Sequence, residues 1–319
     1  MQIVSAIPYL SREERIMIHE KNDWVAVWEI FVHWSWIAAA FAFVYFLPNI
    51  FTVIISLFIL GGKQLACAIL MHDAGHYAVF KNKRANEIIG QWLGAYPIFQ
   101  DASKYRHYHY RHHVENGTVE DPDLLLTRGY PTSGKSMFRK FFRDLTGQTG
   151  IKSFIGLIMM HLGYLVYNLG GKVERVSQKN RTWTAFFFIF YKNLSGPVLS
   201  NIILFFLLYF LASPYLYFLW IGAYLTTFQF SLRIRSMAEH SMVADTSDPY
   251  KNTRTTYANF WEKLLFAPYH VNYHSEHHLL MSVPSYNLPK LHKLLLERGF
   301  YEKGVLEKNY WQVIKLAIR

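Results

Sequence analysis

Three short histidine clusters carry the chemistry of this sequence. They read His72-Asp73-Ala74-Gly75-His76, His109-Tyr110-Arg111-His112-His113 and His274-Ser275-Glu276-His277-His278. On a helix, positions i, i+3 and i+4 share one face, with Cβ atoms about 5–6 Å apart. Each cluster therefore aims its imidazoles at one point. A single HxxxH pattern is commonly structural, but two HxxHH patterns beside it are far from chance. The natural use of such imidazoles is a metal. The chain has 15 His and one Cys, which excludes a disulfide framework and thiolate-held zinc or iron–sulfur sites. Eight or nine imidazoles exceed what one ion takes, since a structural zinc takes about four ligands. Two metals would share them at about four or five each. Imidazole suits iron, zinc, copper or nickel, and iron leads among them if the site is an oxidation catalyst at a membrane surface. Asp73, Asp121, Asp123, Glu239 and Glu276 interleave the clusters. They are expected to accept the far N–H of a ligand imidazole and fix its tautomer. For Asp121 and Asp123, pairing with a nearby Arg is the other reading. His19, His33, His107, His161, His270 and His292 fall outside the pattern and read as ordinary histidines.

The elements that must position these clusters are membrane helices. Four stretches approach the roughly 20 apolar residues needed to cross a bilayer core. They are residues 25–46, 49–71, 196–211 and 215–232, arranged as two tight hairpins. His72 follows the second span directly, and His240 lies about two turns beyond the fourth. All the imidazoles can then meet in a polar cap formed by residues 72–195 and 233–319. Ile88–Phe99, Ile151–Leu169 and Trp183–Tyr191 are apolar but interrupted, and read as interfacial helices on the cap side. The fold class expected is an all-α integral membrane protein, a single domain over 1–319. It has four transmembrane helices and a helical cap holding a histidine-rich di-metal site.

Composition agrees. Hydrophobic residues make up 52% and charged residues 17%, which excludes a disordered chain. Mean hydropathy is only +0.07, so a large polar portion accompanies the spans. The net charge of +11 has a membrane explanation rather than a nucleic-acid one, because of where the charges sit. Neither hairpin tip holds Lys or Arg. Residues 73–194 hold 17 and the tail from Arg233 holds 12, together 29 of the 33 basic residues. The positive-inside bias then places the cap and both termini in the cytoplasm. The membrane is the plasma membrane for a bacterial protein and the endoplasmic reticulum for a eukaryotic one. The first residues lack a basic run followed by an apolar core, so no signal peptide is expected.

With these residues in place, the sequence resembles the membrane fatty acid desaturase family from about Gly61 to His292. The three boxes stand in order, accompanied by Tyr105-Arg106, Asp121-Pro122-Asp123, Glu239-His240, Arg254-Thr255-Thr256, Ala267-Pro268-Tyr269 and Val283-Pro284. The resemblance implies nine metal ligands: His72, His76, His109, His112, His113, His240, His274, His277 and His278. It implies two iron ions, O2 as co-substrate, and removal of two hydrogens from neighbouring carbons of an acyl chain. The first box is one residue shorter than in acyl-CoA desaturases, and Ser236 stands where those enzymes carry Asn. The resemblance therefore points to an acyl-lipid branch. His274 replaces the Gln of front-end desaturases and no fused cytochrome b5 domain is evident. Electrons are then expected from a separate ferredoxin-, rubredoxin- or cytochrome b5-type protein.

Two rival readings remain. The same boxes serve lipid, alkane and carotenoid hydroxylases and ketolases. The text after box three favours desaturation over these. A membrane metal transporter would instead line its path with ionisable residues inside the spans. Only Glu29 and His33 in the first span fit that description.

Overall fold

The computed structural model describes residues 6–243 and 245–319. The first five residues of the stretch read above for a signal peptide lie outside it. Among the described residues the chain is mostly helical. A short helix, α1 (Arg12–His19), opens with a capping box between Ser11 and Glu14. Then come α2 (Asp23–Phe46) and α3 (Ile50–Gly75), antiparallel across a three-residue turn. Asn22 caps α2 through the N–H groups of Trp24 and Val25. Asn49 caps α3, and its own N–H donates to the Thr52 hydroxyl. Such caps satisfy backbone donors that a helix start leaves unpaired. Ser56 donates to the Ala40 carbonyl and fixes the hairpin register.

The rest of the fold builds on α3. A short α4 (Lys83–Ile89) runs into a π-helical turn, Gly90–Ala95, that packs along α3. The second box lies on α5 (Ala102–Glu115), followed by α6 (Leu124–Thr127), α7 (Gly134–Leu145) and α8 (Gln148–His161). Next come α9 (Trp183–Leu211), α10 (Tyr215–Leu225) and α11 (Thr227–His240). The C-terminal part holds β1 (Arg254–Thr256), α12 (Phe260–Leu265), α13 (His274–Leu279), α14 (Leu288–Glu297), β2 (Val305–Glu307) and α15 (Tyr310–Leu316). The two strands pair in parallel, with Thr255 opposite Leu306.

Among the described residues, three helices are long and apolar enough to cross a membrane: α2, α3 and α9. Two sequence expectations change here. Trp183–Tyr191 is not a separate interfacial helix but the first part of α9, which runs 29 residues with Pro197 inside it. In the fold, Asn201 donates to the carbonyls of Tyr96 and Pro197 and ties that part of the helix to its neighbour. The fourth apolar stretch, 215–232, is divided at Thr226, where φ/ψ is −118°/−86°. Thr226 donates to the Gly222 carbonyl at 2.6 Å, and Thr227 to the Leu57 carbonyl of α3 at 2.5 Å. These hydroxyls satisfy carbonyls at the break. Of the other two interrupted segments, 88–99 becomes α4, the π turn and a 3-10 turn, and 151–169 ends its helix at His161.

Close packing around α3 depends on two glycines. A Cβ on Gly61 would lie 2.4 Å from Thr227 Oγ1, and one on Gly62 would lie 2.5 Å from the Leu264 carbonyl oxygen. Only glycine lets α11 and α12 approach this closely. One apolar cluster, with Phe41, Leu60, Leu65, Trp220, Tyr224 and Phe228, joins α2, α3, α10 and α11. A second, with Ile69, Met137, Ile234, Met237, Tyr310 and Val313, joins α3, α7, α11 and α15. Burial of each such side chain stabilises by about 1.5–3 kcal/mol. The second cluster holds the ends of α3 and α11, which carry His72, His76 and His240.

Candidate metal centre

Four elements deliver the nine imidazoles. His72 lies in the last turn of α3 and His76 caps it. His109, His112 and His113 lie on the buried face of α5. His240 is the last residue of α11, and His274, His277 and His278 occupy α13. The structure gathers them into two groups. One holds His72, His76, His109, His113 and His277; the other holds His112, His240, His274 and His278. Within each group the donor nitrogens lie within 4.8 Å of one another. The boxes do not map one to one onto the groups. His112 and His113, adjacent on α5, serve different groups, as do His277 and His278 on α13.

The nitrogens face inward in a way that hydrogen bonding alone does not explain. His113 Nε2 lies 2.9 Å from His109 Nε2 and 3.1 Å from His277 Nε2. His240 Nε2 lies 3.2 Å from His112 Nε2 and 2.7 Å from His274 Nε2. The Nε2 atoms of His72, His76 and His278 are buried and without a partner. Nitrogens held about 2.1 Å from a common ion in octahedral geometry sit about 3.0 Å apart. The all-imidazole donor set and these spacings fit two metal ions.

Three of the outer nitrogens are fixed by oxygen acceptors. His72 Nδ1 donates to Asp73 at 2.6 Å and His112 Nδ1 to Asp121 at 2.8 Å. His240 Nδ1 donates to the Asn252 carbonyl at 3.0 Å. Each bond commits the proton to Nδ1 and leaves an Nε2 lone pair for a metal. Asp121 and Asp123 therefore face His112 rather than an Arg, and Asp123 also accepts the Tyr108 hydroxyl. Glu239 lies 3.5 Å from His274 Nδ1, and its nearer contact is Arg235 Nε at 2.6 Å.

Glu276 departs from expectation. It touches no box imidazole. It accepts from His292 Nδ1 at 2.6 Å, from Thr255 Oγ1 at 2.5 Å and from the Tyr301 hydroxyl. The carboxylate is fully buried and pins α13 to β1 and α14. His292, set aside in the sequence, belongs to this support, with the Tyr257 hydroxyl 3.0 Å from its Nε2. Its neighbours in space are distant in sequence, so no local spacing pointed to it. Tyr105 is a further unpredicted neighbour, its ring stacked on His109 at 5.2 Å. Ser236 bonds its own helix at the Leu232 carbonyl. The other histidines stay outside both groups: His107, for example, bonds the Ser103 carbonyl and His161 the Phe99 carbonyl.

Electrostatics favour neutral rings. Burial pushes the pKa values of His109, His113, His274, His277 and His278 well below the ordinary value, and neighbouring imidazoles push them further. Burial, then the charge of His112, takes His240 down to about 3. His112 is the exception. Burial lowers it, but Asp123 and Asp121 together outweigh that and raise it. Neutral imidazole is the form that binds metal.

Comparison with known proteins agrees with this arrangement. Residues 48–311 match the family described as Fatty acid desaturase. The dihydrorhizobitoxine desaturase of Bradyrhizobium elkanii is 28% identical over 257 residues, covering 78% of this chain and 69% of that protein. The fatty acid desaturase 2-like protein FADS2B of Mus musculus is 24% identical over 254 residues, covering 76% of this chain. Its putative counterpart in Homo sapiens is 23% identical over 252 residues. The chain spans about half the length of these two mammalian relatives. The family match takes in all nine clustered histidines and the helices that hold them, and on that evidence the chain is a member of the fatty acid desaturase family.

Proposed function

We propose that this chain is an O2-dependent desaturase that places a double bond in the acyl chain of a lipid at two iron ions. His72, His76, His109, His113 and His277 hold one ion, and His112, His240, His274 and His278 hold the other. Electrons come from a separate ferredoxin-, rubredoxin- or cytochrome b5-type protein. The enzyme is multi-pass, with its metal cap on the cytoplasmic side. The observation that carries the reading is the convergence of buried Nε2 atoms into two groups in a chain of this family.

Bound iron would supply the power to activate O2 against an unactivated C–H bond. The protein's own residues do the rest. Asp73, Asp121 and the Asn252 carbonyl hold the Nδ1 protons of His72, His112 and His240. Burial of the imidazoles excludes bulk water and protects reactive species from side reactions. The Glu276 network holds α13 so that three ligands on one short helix serve two ions.

The test is expression of the full chain with iron analysis and lipid profiling by mass spectrometry. The expected result is iron in the purified protein and a new unsaturated lipid that requires O2. Hydroxylated products instead would give the reaction to the hydroxylase class. Metal uptake with no oxygen-dependent product would give it to a transporter. The substrate panel should include dihydrorhizobitoxine, the compound named in the Bradyrhizobium relative.

A further inference from the structure

The helix α7, GKSMFRKFFRDL, presents three distinct flanks. The inner flank is packed. Met137 is 1% exposed, and Asp144 is fully buried and held by Arg233 through Nε and Nη2. Phe141 meets Phe230 edge-on at 5.0 Å, and Phe230 meets Phe58 of α3 at 6.2 Å. This helix therefore lies against α11, whose Phe230 in turn meets the spanning helix α3. Its junction with α8 is pressed onto the break at Thr226: a Cβ on Gly150 would fall 2.1 Å from the Leu225 carbonyl oxygen.

The second flank is apolar and bare. Phe138 is 68% exposed, Phe142 52% and Leu145 39%, and the two phenyl rings stack at 6.2 Å. The first turns of α8 continue it with exposed Ile151 and Ile155. The third flank carries Lys135, Arg139 and Arg143, one turn apart and all exposed. At about 100° per residue, this stripe lies roughly a quarter-turn from the phenyl stripe. None of the three makes an ion pair among the described residues, and the helix's one acid, Asp144, is engaged by Arg233.

We propose that α7 and the start of α8 form a binding surface for anionic phospholipid. The rings of Phe138 and Phe142 enter among the acyl chains, and Lys135, Arg139 and Arg143 meet headgroup phosphates. An apolar stripe flanked by basic residues is the arrangement of helices that lie in the membrane interface. A bare patch of this kind needs a cover. The patch continues onto exposed Ile151 and Ile155 of α8, and a basic stripe runs beside it, which makes that cover lipid; the unpaired cations select acidic headgroups. The inference does not depend on which reaction the metal centre performs.

The test uses the full chain in nanodiscs of phosphatidylcholine, with and without phosphatidylglycerol. Cys67 is buried, so a nitroxide attaches at an introduced cysteine. Phe142→Cys carries the label, and Leu145→Cys replaces it should the first fail to fold. The expected label is more accessible to O2 than to a water-soluble nickel chelate, with the order reversed for Arg139→Cys. Preferential access to the chelate at position 142 overturns the proposal, and so does shielding from both reagents, which would mean a protein covers the stripe. The triple variant K135Q/R139Q/R143Q is then compared with wild type for retained phosphatidylglycerol by native mass spectrometry. A loss of up to about five-fold per neutralised charge is expected. Unchanged retention overturns the proposal.

Discussion

His112 and His240 turn their Nε2 atoms toward each other at 3.2 Å although both have committed their protons elsewhere. His112 Nδ1 donates to Asp121, and His240 Nδ1 donates to the Asn252 carbonyl. Two neutral rings so placed present lone pair to lone pair. A shared proton would relieve this for one pair, but His240 Nε2 also faces His274 Nε2 at 2.7 Å. A cation between the three resolves every contact at once. The tautomers are thus set for metal by groups that do not themselves reach it.

Replacing a ligand from either group should remove one ion and leave the other. His240→Ala and His76→Ala are each expected to lower iron content by roughly half, because each group has its own donors. Both should abolish turnover. Inductively coupled plasma mass spectrometry on the purified variants checks this, with His107→Ala as the control that keeps full iron. Full iron with turnover in His240→Ala would remove it from the ligand set.

Asp121→Asn keeps the shape but weakens the acceptor that holds His112. Loss of such a partner typically costs 10–100-fold in metal affinity. Competition against a chelator should show that loss in the group of His112 and leave the group of His72 unchanged. Equal affinities in wild type and variant would mean Asp121 is only a loop residue.

Glu276→Ala should destabilise by about 3–5 kcal/mol, the range for breaking a buried charged network by removing one partner. It strands His292, Thr255 and Tyr301 together. Because α13 carries ligands of both groups, iron should fall at both sites. Thermal unfolding and metal analysis measure the two effects, and Glu276→Gln should recover part of each by keeping the Thr255 bond. Unchanged unfolding in the Ala variant would contradict the anchoring role.

Eight of the nine clustered imidazoles were legible because helical periodicity converts spacing into shared faces, while His240 entered through the family resemblance. HxxxH and HxxHH need no tertiary information to be read. The two-group division was not legible, since His112 and His113 part company only when α11 and α13 arrive from elsewhere in the chain. Glu276 looked like a partner for the box histidines beside it. Its true partner, His292, is 16 residues away and is set by the packing of α14. The break at Thr226 was hidden because the stretch is apolar on both sides, and what ends the helix is hydroxyl bonding to Gly222 and Leu57. The joining of Trp183–Tyr191 to the third span was not legible either, since Asn201 ties that part of α9 through the carbonyls of Tyr96 and Pro197.

Gly61→Leu tests the contact that brings α11 against α3. The added side chain begins 2.4 Å from Thr227 Oγ1 and less than 3 Å from the Thr227 and Phe228 backbone, where no flexible side chain can give way. Overpacking of this kind costs about 1–3 kcal/mol or more. It should also displace His240 from its partners, so iron loss in the group of His112 should exceed loss in the group of His72. Equal loss from both would mean general unfolding.

His270 supplies a pH signature separate from the metal. Burial, reinforced by Lys263, lowers its pKa to about 4, against an unfolded value of about 6.5. A histidine depressed in the fold stays neutral while the unfolded chain takes up a proton. Its contribution to stability is therefore fully present above about pH 6.5 and is lost as pH falls toward 4. The shift corresponds to at most about 3 kcal/mol. His270→Gln should flatten that part of the profile, so the difference in melting temperature between pH 7.5 and pH 5 should be smaller in the variant than in wild type. Parallel profiles would show that His270 does not titrate differently in the folded and unfolded chains.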